Sequence, residues 1–231
     1  MRYRDALVKG AWATFAALTV LHLGVLLAGS AATGHVTRLL VSVALVGAFA
    51  VTVRRWTVPL MLIGAGLAVV FIGDLAQIVG GTRTALIEMG VLTTMLALYA
   101  AALAPLWLRG WDGLRILVAV PYTGVALGLL LALSRGAGEL IVPMALLGAA
   151  LAAMAFLASG VNPLTWLSGM LFLLAGSVLG MDHFLAGAWV PQALAVTMAL
   201  FLAAQVLLVV GIVRGVGSAG VVGAPSPAAH G

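Results

Sequence analysis

Apolar residues run through this chain in eight long blocks, near positions 11–29, 38–53, 58–80, 85–107, 114–133, 139–159, 164–186 and 189–213. Short clusters of Arg, Pro, Gly and polar residues part them. Blocks of this length predict membrane-spanning helices, because roughly 20 residues at about 1.5 Å each cross the hydrocarbon. The second block is short, near the lower limit for a span. The connections are only a few residues long, so successive helices should be antiparallel neighbours in one bundle. The expected fold is all-α, a polytopic membrane helix bundle of about eight transmembrane helices forming a single domain over residues 1–214. The segment 215–231 is rich in Gly, Ala, Ser and Pro and reads as a disordered tail.

Composition confirms the solvent. Of 231 residues, 64% are hydrophobic and 7% charged, whereas a soluble domain carries about 25% charged residues. The surroundings must be lipid. A net charge of +5 would raise the question of nucleic acid in a soluble protein, but the cations here stand singly between apolar blocks, as topology signals do. Nucleic acid is therefore not an expected partner. The absence of cysteine excludes disulfides, thiolate catalysis and thiolate metal sites. The first block follows Arg2, Arg4 and Lys9 in the manner of a signal peptide, but its length and His22 favour a retained span.

The cations also set an orientation. With the N-terminus inside, Arg2, Arg4, Lys9, Arg54, Arg55, Arg109, Arg115 and Arg214 fall on the inner face, and Arg38, Arg83 and Arg135 on the outer. That bias predicts a multi-pass protein of the cell membrane with both termini cytoplasmic.

Asp74 stands out against this background, as the one charge between Arg55 and Arg83. An ionised carboxylate at the centre of a span costs about 2.5–3.5 kcal/mol even on an insertion scale, so it normally faces a cavity, a partner or a substrate. In the eight-span arrangement Asp74, Glu88, Glu139, Asp182 and His183 all fall at the outer level, with His22 past the middle of the first span and Arg38 at the start of the second. One partly buried polar pocket is the simplest reading. The plainer readings are an ion pair of Asp74 with an arginine such as Arg38, interfacial roles for Glu88 and Glu139, a loop position for Asp182 and His183, and interhelical bonds for His22 and Gln205. No metal-ligand spacing, phosphate-binding loop or nucleophile elbow occurs, so neither a metal nor a cofactor is expected.

Several segments, taken in order, carry a resemblance: FAALTVLHLGVLLAGS, VVFIGDLAQ, EMGVLTTMLALY, GMLFLLAGSVLGMDHF and TMALFLAAQVLLVVG. They resemble the lysoplasmalogenase (YhhN-type) family of eight-helix membrane proteins. The resemblance implies hydrolysis of the vinyl-ether bond of a lysoplasmalogen, releasing an aldehyde and a glycerophospho-base. The Gly-Asp pair of the third span is present as Gly73-Asp74, and Tyr99 and Gln205 stand where the family pattern favours them. The Lys-Pro pair of the second span reads Arg38-Leu39, the histidine of the fourth reads Leu96, and the Ser-Asp pair of the seventh reads Ala175-Gly176.

Vinyl-ether hydrolysis needs an acid to protonate an alkene carbon and a base to position the water that captures the oxocarbenium ion. A carboxyl group desolvated in the membrane suits the first task. Asp74, Glu88 and Asp182 are the expected catalytic residues, with Asp74 as proton donor, and His22, Arg38, Gln77, Tyr99 and Gln205 the expected substrate contacts. The altered seventh-span pair leaves room for two other outcomes. One is a terpene cyclase, in which a neighbouring alkene of a prenylated substrate captures the cation. The other is a non-catalytic lipid-binding protein. On each reading the partner is a lipid or isoprenoid small molecule in the membrane.

Overall fold

A computed structural model of the chain describes residues 2–79, 84–107, 138–184 and 191–222, together with 117, 121, 124, 126–128, 131, 132 and 136. Every regular element among them is helical. The long helices are α1 (Arg2–Leu27), α2 (Ala31–Thr52), α3 (Val58–Val79), α4 (Thr84–Leu103), α5 (Ile141–Ser159), α6 (Pro163–Phe184) and α7 (Ala193–Val222). All seven are long and apolar enough to cross a membrane, and the protein is a polytopic helical bundle. The fifth predicted span, 114–133, lies mostly outside the described residues.

Local chemistry explains where these helices stop and start. Gly29 ends α1 by adopting a φ of +75°, a conformation that costs glycine little. Its neighbour Ser30 then opens α2. Asn162 caps α6: its Oδ1 accepts from the backbone N–H groups of Leu164 at 3.0 Å and Thr165 at 3.1 Å. Pro163 occupies the first helical position, where no N–H is needed. The same asparagine donates from Nδ2 to Gly211 O at 2.8 Å and so ties the start of α6 to α7.

These contacts fix the directions of the helices. Arg4 donates to Val53 O at 3.0 Å, filling a carbonyl at the end of α2, and Trp12 donates to Thr52 at 3.0 Å. The start of α1 therefore meets the end of α2. We call this end of the bundle basal and the opposite one apical. Ser168 donates to Ala204 O at 2.7 Å, so α6 and α7 are antiparallel. By contrast Trp107, just past α4, packs at a tilt against Phe156 near the end of α5, with ring centroids 5.5 Å apart. Helices α4 and α5 thus run side by side in one direction, as the fourth and sixth spans of an eight-span alternation should.

Three boundaries differ from those the apolar blocks predict. α1 begins at Arg2, ahead of the apolar run, since a helix can continue past the hydrocarbon with Asp5 in its first turn. α2 begins at Ala31, seven residues before Arg38, so this arginine lies inside the helix. Its charge marks a paired site and not a boundary. α7 runs past Arg214 to Val222, into the segment read as a disordered tail.

The core lies between α2, α3, α4 and α7, where Phe49, Ile63, Met95, Leu103 and Leu208 are fully buried. Large apolar side chains such as Val20, Ile72 and Leu174 stay exposed on the bundle surface, as a lipid solvent allows.

Candidate functional site

The apical half of the bundle holds the buried charge. Gly73 sets up the approach of α3 to α4, because a Cβ at that position would fall 2.6 Å from Val91 Cγ1. With the two helices this close, Asp74 on α3 and Glu88 on α4 can both reach one side chain of α2. That side chain is Arg38. Its Nε lies 2.6 Å from Asp74 Oδ1, and a terminal nitrogen lies 3.7 Å from Glu88 Oε1. Ser42, one turn further along α2, donates to Asp74 Oδ2 at 2.5 Å. Asp74 thus accepts a hydrogen bond on Oδ2 and has the Arg38 guanidinium in ionic contact with Oδ1, and the residue is only 4% exposed. Glu88 is looser, with its side chain 27% exposed.

His22 completes this end of the site from α1. Its Nδ1 lies 2.8 Å from Thr37 Oγ1. The Thr37 hydroxyl has backbone carbonyls to donate to, Thr33 O at 3.0 Å and Gly34 O at 3.1 Å, and so can accept from His22. We assign the proton to Nδ1 on that basis, the tautomer that leaves Nε2 with a lone pair. His22 is 2% exposed, and Nε2 has no hydrogen-bond partner among the described residues.

Two spaces adjoin the cluster. A chamber of about 20 Å³ is lined by His22, Arg38, Ser42 and Asp74 and by apolar side chains including Met198 and Phe201. A cavity of about 370 Å³ opens between α4, α5, α6 and α7. Its walls are mostly Leu, Met, Phe, Ala and Gly, and its polar lining comes from Glu88, Ser177, His183 and Thr197. Phe201 lines both spaces. Ala175 and Gly176, which stand where the resembled family has a Ser-Asp pair, face the large cavity.

The other expected site residues are arranged differently. Asp182 lies exposed in the last turn of α6 and lines neither space. A helix turns its successive residues about 100° apart, so its neighbour His183 is the one that faces the cavity. Tyr99 and Gln205 bond to each other: the phenol donates to Gln205 Oε1 at 2.7 Å, and both are buried in the core and line neither space. Gln77 belongs to α3, but its side chain lies outside the described residues, as do Arg83 and Arg135. Among the described residues no group of His, Asp and Glu is placed to hold a metal ion.

Ser42 and Thr37 were not among the expected site residues. Ser42 had a signal, since it lies four positions after Arg38 and so shares its helix face. Thr37 had none, because its role depends on how α1 packs against α2.

No curated protein and no solved structure matches the chain. A family model does, and it spans the helices from α2 through most of α7. The match to the YhhN family covers residues 33–212, with the Gly73-Asp74 pair and its α2 and α4 partners inside it, and the chain belongs to that family.

Proposed function

We propose that this protein is a membrane enzyme that hydrolyses the vinyl-ether bond of a single-chain amphiphilic lipid, a lysoplasmalogenase-type reaction. The observation that carries the proposal is the contact between a partly buried Asp74–Arg38–Glu88 cluster and an apolar cavity of about 370 Å³. A cavity of that size sits near the low end of ligand pockets, roughly 300–1,000 Å³, and suits one hydrocarbon chain better than two. Glu88 lines it, so the reactive bond would lie at the apical end, where the chain meets the carboxyl group.

The cluster contains one guanidinium and two carboxyl groups. A single proton shared between the carboxyls makes it neutral, which suits its low-dielectric surroundings. Asp74 accepts from Ser42 on one oxygen and has Arg38 in ionic contact with the other, a poor arrangement for a group that must itself donate. Glu88 has one distant ionic contact and faces the apolar cavity. We therefore assign the transferable proton to Glu88, with Asp74 fixing Arg38. This moves the donor role away from Asp74, where the sequence placed it. In the reaction Glu88 protonates C2 of the vinyl ether, water adds to C1, and the hemiacetal breaks into an aldehyde and an alcohol.

One observation favours a second reading, cyclisation of a prenylated substrate. Ala175 and Gly176 face the cavity and offer no base of their own, and a cation shielded from water is captured by a neighbouring alkene. Purified protein in detergent, given a lysoplasmalogen and separately a prenyl-chain lipid, distinguishes the two. The proposal expects aldehyde from the first. A cyclised product without aldehyde would establish the second reading, and turnover of neither would leave a lipid-binding protein.

A further inference from the structure

Hydrolysis at the large cavity needs a water molecule, and the polar groups on its walls, Glu88, Ser177, His183 and Thr197, are spread over three helices. The neighbouring chamber brings polar groups together. A water needs roughly 10–15 Å³ and a few polar partners, and the chamber offers about 20 Å³ beside His22, Arg38, Ser42 and Asp74. Among the described residues, two buried polar atoms there, His22 Nε2 and Asp74 Oδ1, have no hydrogen-bond partner, although Oδ1 lies in ionic contact with Arg38. The His22 lone pair accepts, Asp74 accepts, and the Arg38 guanidinium donates. A water held by such a set has both protons engaged and an oxygen lone pair left over. Phe201 is the wall shared with the substrate cavity.

We propose that this chamber is the site of the nucleophilic water, and that His22 takes its proton when it attacks. The inference rests on the hydrolase reading above. It divides the reaction between two spaces, with the acid in one and the water in the other, and it locates water activation at α1 and α2 in a chain whose α6 wall carries Ala175 and Gly176.

The charges balance at each step. At the start Glu88 is protonated, Asp74 and Arg38 offset each other, and His22 is neutral. Glu88 gives its proton to C2, and the oxocarbenium ion is offset by the new Glu88 carboxylate. Water attacks C1 as His22 Nε2 takes one of its protons. The imidazolium now offsets Glu88, and the adduct is a neutral hemiacetal. This breaks to aldehyde and alcohol, and the proton left on His22 restores Glu88.

Deuterium reports the two halves separately. In D2O, the acid delivers a deuteron to C2 of the vinyl ether. If capture by water is slow, the cation loses a proton from C2 and returns as substrate labelled there. The wild type should release aldehyde and leave recovered lysoplasmalogen nearly unlabelled. His22→Leu should slow aldehyde release about 10²-fold, the low end for loss of a general base, while deuterium accumulates in recovered substrate. His22→Gln, whose side-chain carbonyl still accepts, should fall between. Val41→Leu adds a methylene to a chamber-lining residue without touching a polar group and should reproduce the His22→Leu pattern. Thermal melts in detergent identify a variant that has lost its fold, and Val41→Leu and His22→Gln then decide the matter. Variants that hydrolyse at the wild-type rate, or that lose hydrolysis without gaining label, overturn the chamber as the water site. A wild type that releases no aldehyde overturns the hydrolase reading, and this inference with it.

Discussion

Ser42 donates to one oxygen of Asp74 at 2.5 Å, while Arg38, one turn earlier on the same helix, holds the other at 2.6 Å. A single face of α2 thus sets a hydroxyl donor and a guanidinium against a carboxylate that α3 carries into the apolar bundle. The arrangement accounts for how so costly a group is tolerated, and it fixes Arg38 where Glu88 can reach it.

Removing one partner should be worse than removing both. Arg38→Met leaves Asp74 buried beside a neutral chain, at a cost of about 3–5 kcal/mol for breaking a buried pair. Arg38→Met combined with Asp74→Leu should recover much of that loss. Thermal unfolding in detergent checks it, and a double variant no more stable than Arg38→Met would show that the pair does not carry the stability.

Gly73→Ala tests the helix approach that brings Asp74 and Glu88 together. Its Cβ would meet Val91 Cγ1 at 2.6 Å and Cγ2 at 2.7 Å. Overpacking of this kind costs about 1–3 kcal/mol. The melting temperature should drop, and Gly73→Ala with Val91→Ala should restore it. A single variant as stable as the wild type would mean that α3 and α4 lie further apart.

Tyr99 and Gln205 should behave as a structural pair. Tyr99→Phe leaves Gln205 Oε1 buried without its donor, which costs about 1–3 kcal/mol. Stability should fall while turnover per folded molecule stays within a few-fold. A stable variant with turnover lost would make Tyr99 a substrate contact.

The helices were legible because apolar blocks of the right length have few alternatives. The boundaries were less so. Cutting the chain at Arg38 shortened the second span by seven residues, because an unpaired charge and a buried ion pair look alike in sequence. Asp74 was legible as an outlier in its block, and Arg38 was weighed as its partner. What the sequence could not specify was rotation about each helix axis. Asp182 shares the apical level but points outward from α6, while His183 beside it faces the cavity. Tyr99 and Gln205 stand at positions the family favours, yet their bond to each other became visible only when α4 and α7 were packed together.

Topology offers an independent check. Arg2, Arg4, Lys9, Arg54, Arg55 and Arg214 gather at the basal end of the bundle, where the first helix starts and the last one ends. By the positive-inside rule that end is predicted to face the cytoplasm. A reporter fused after Arg214 should be active only in its cytoplasmic form. An external signal would invert the bundle and place the mouth of the substrate cavity on the inner leaflet.

The most direct measurement is aldehyde release from a lysoplasmalogen by the wild type beside Glu88→Gln and Asp74→Asn, each verified as folded. Glu88→Gln keeps shape and hydrogen bonding but removes the acid, so its rate should fall at least about 10²-fold. Asp74→Asn loosens Arg38 and should also slow the reaction, by a smaller factor. Aldehyde release that continues at the wild-type rate in both variants would contradict a mechanism centred on the Asp74–Arg38–Glu88 cluster.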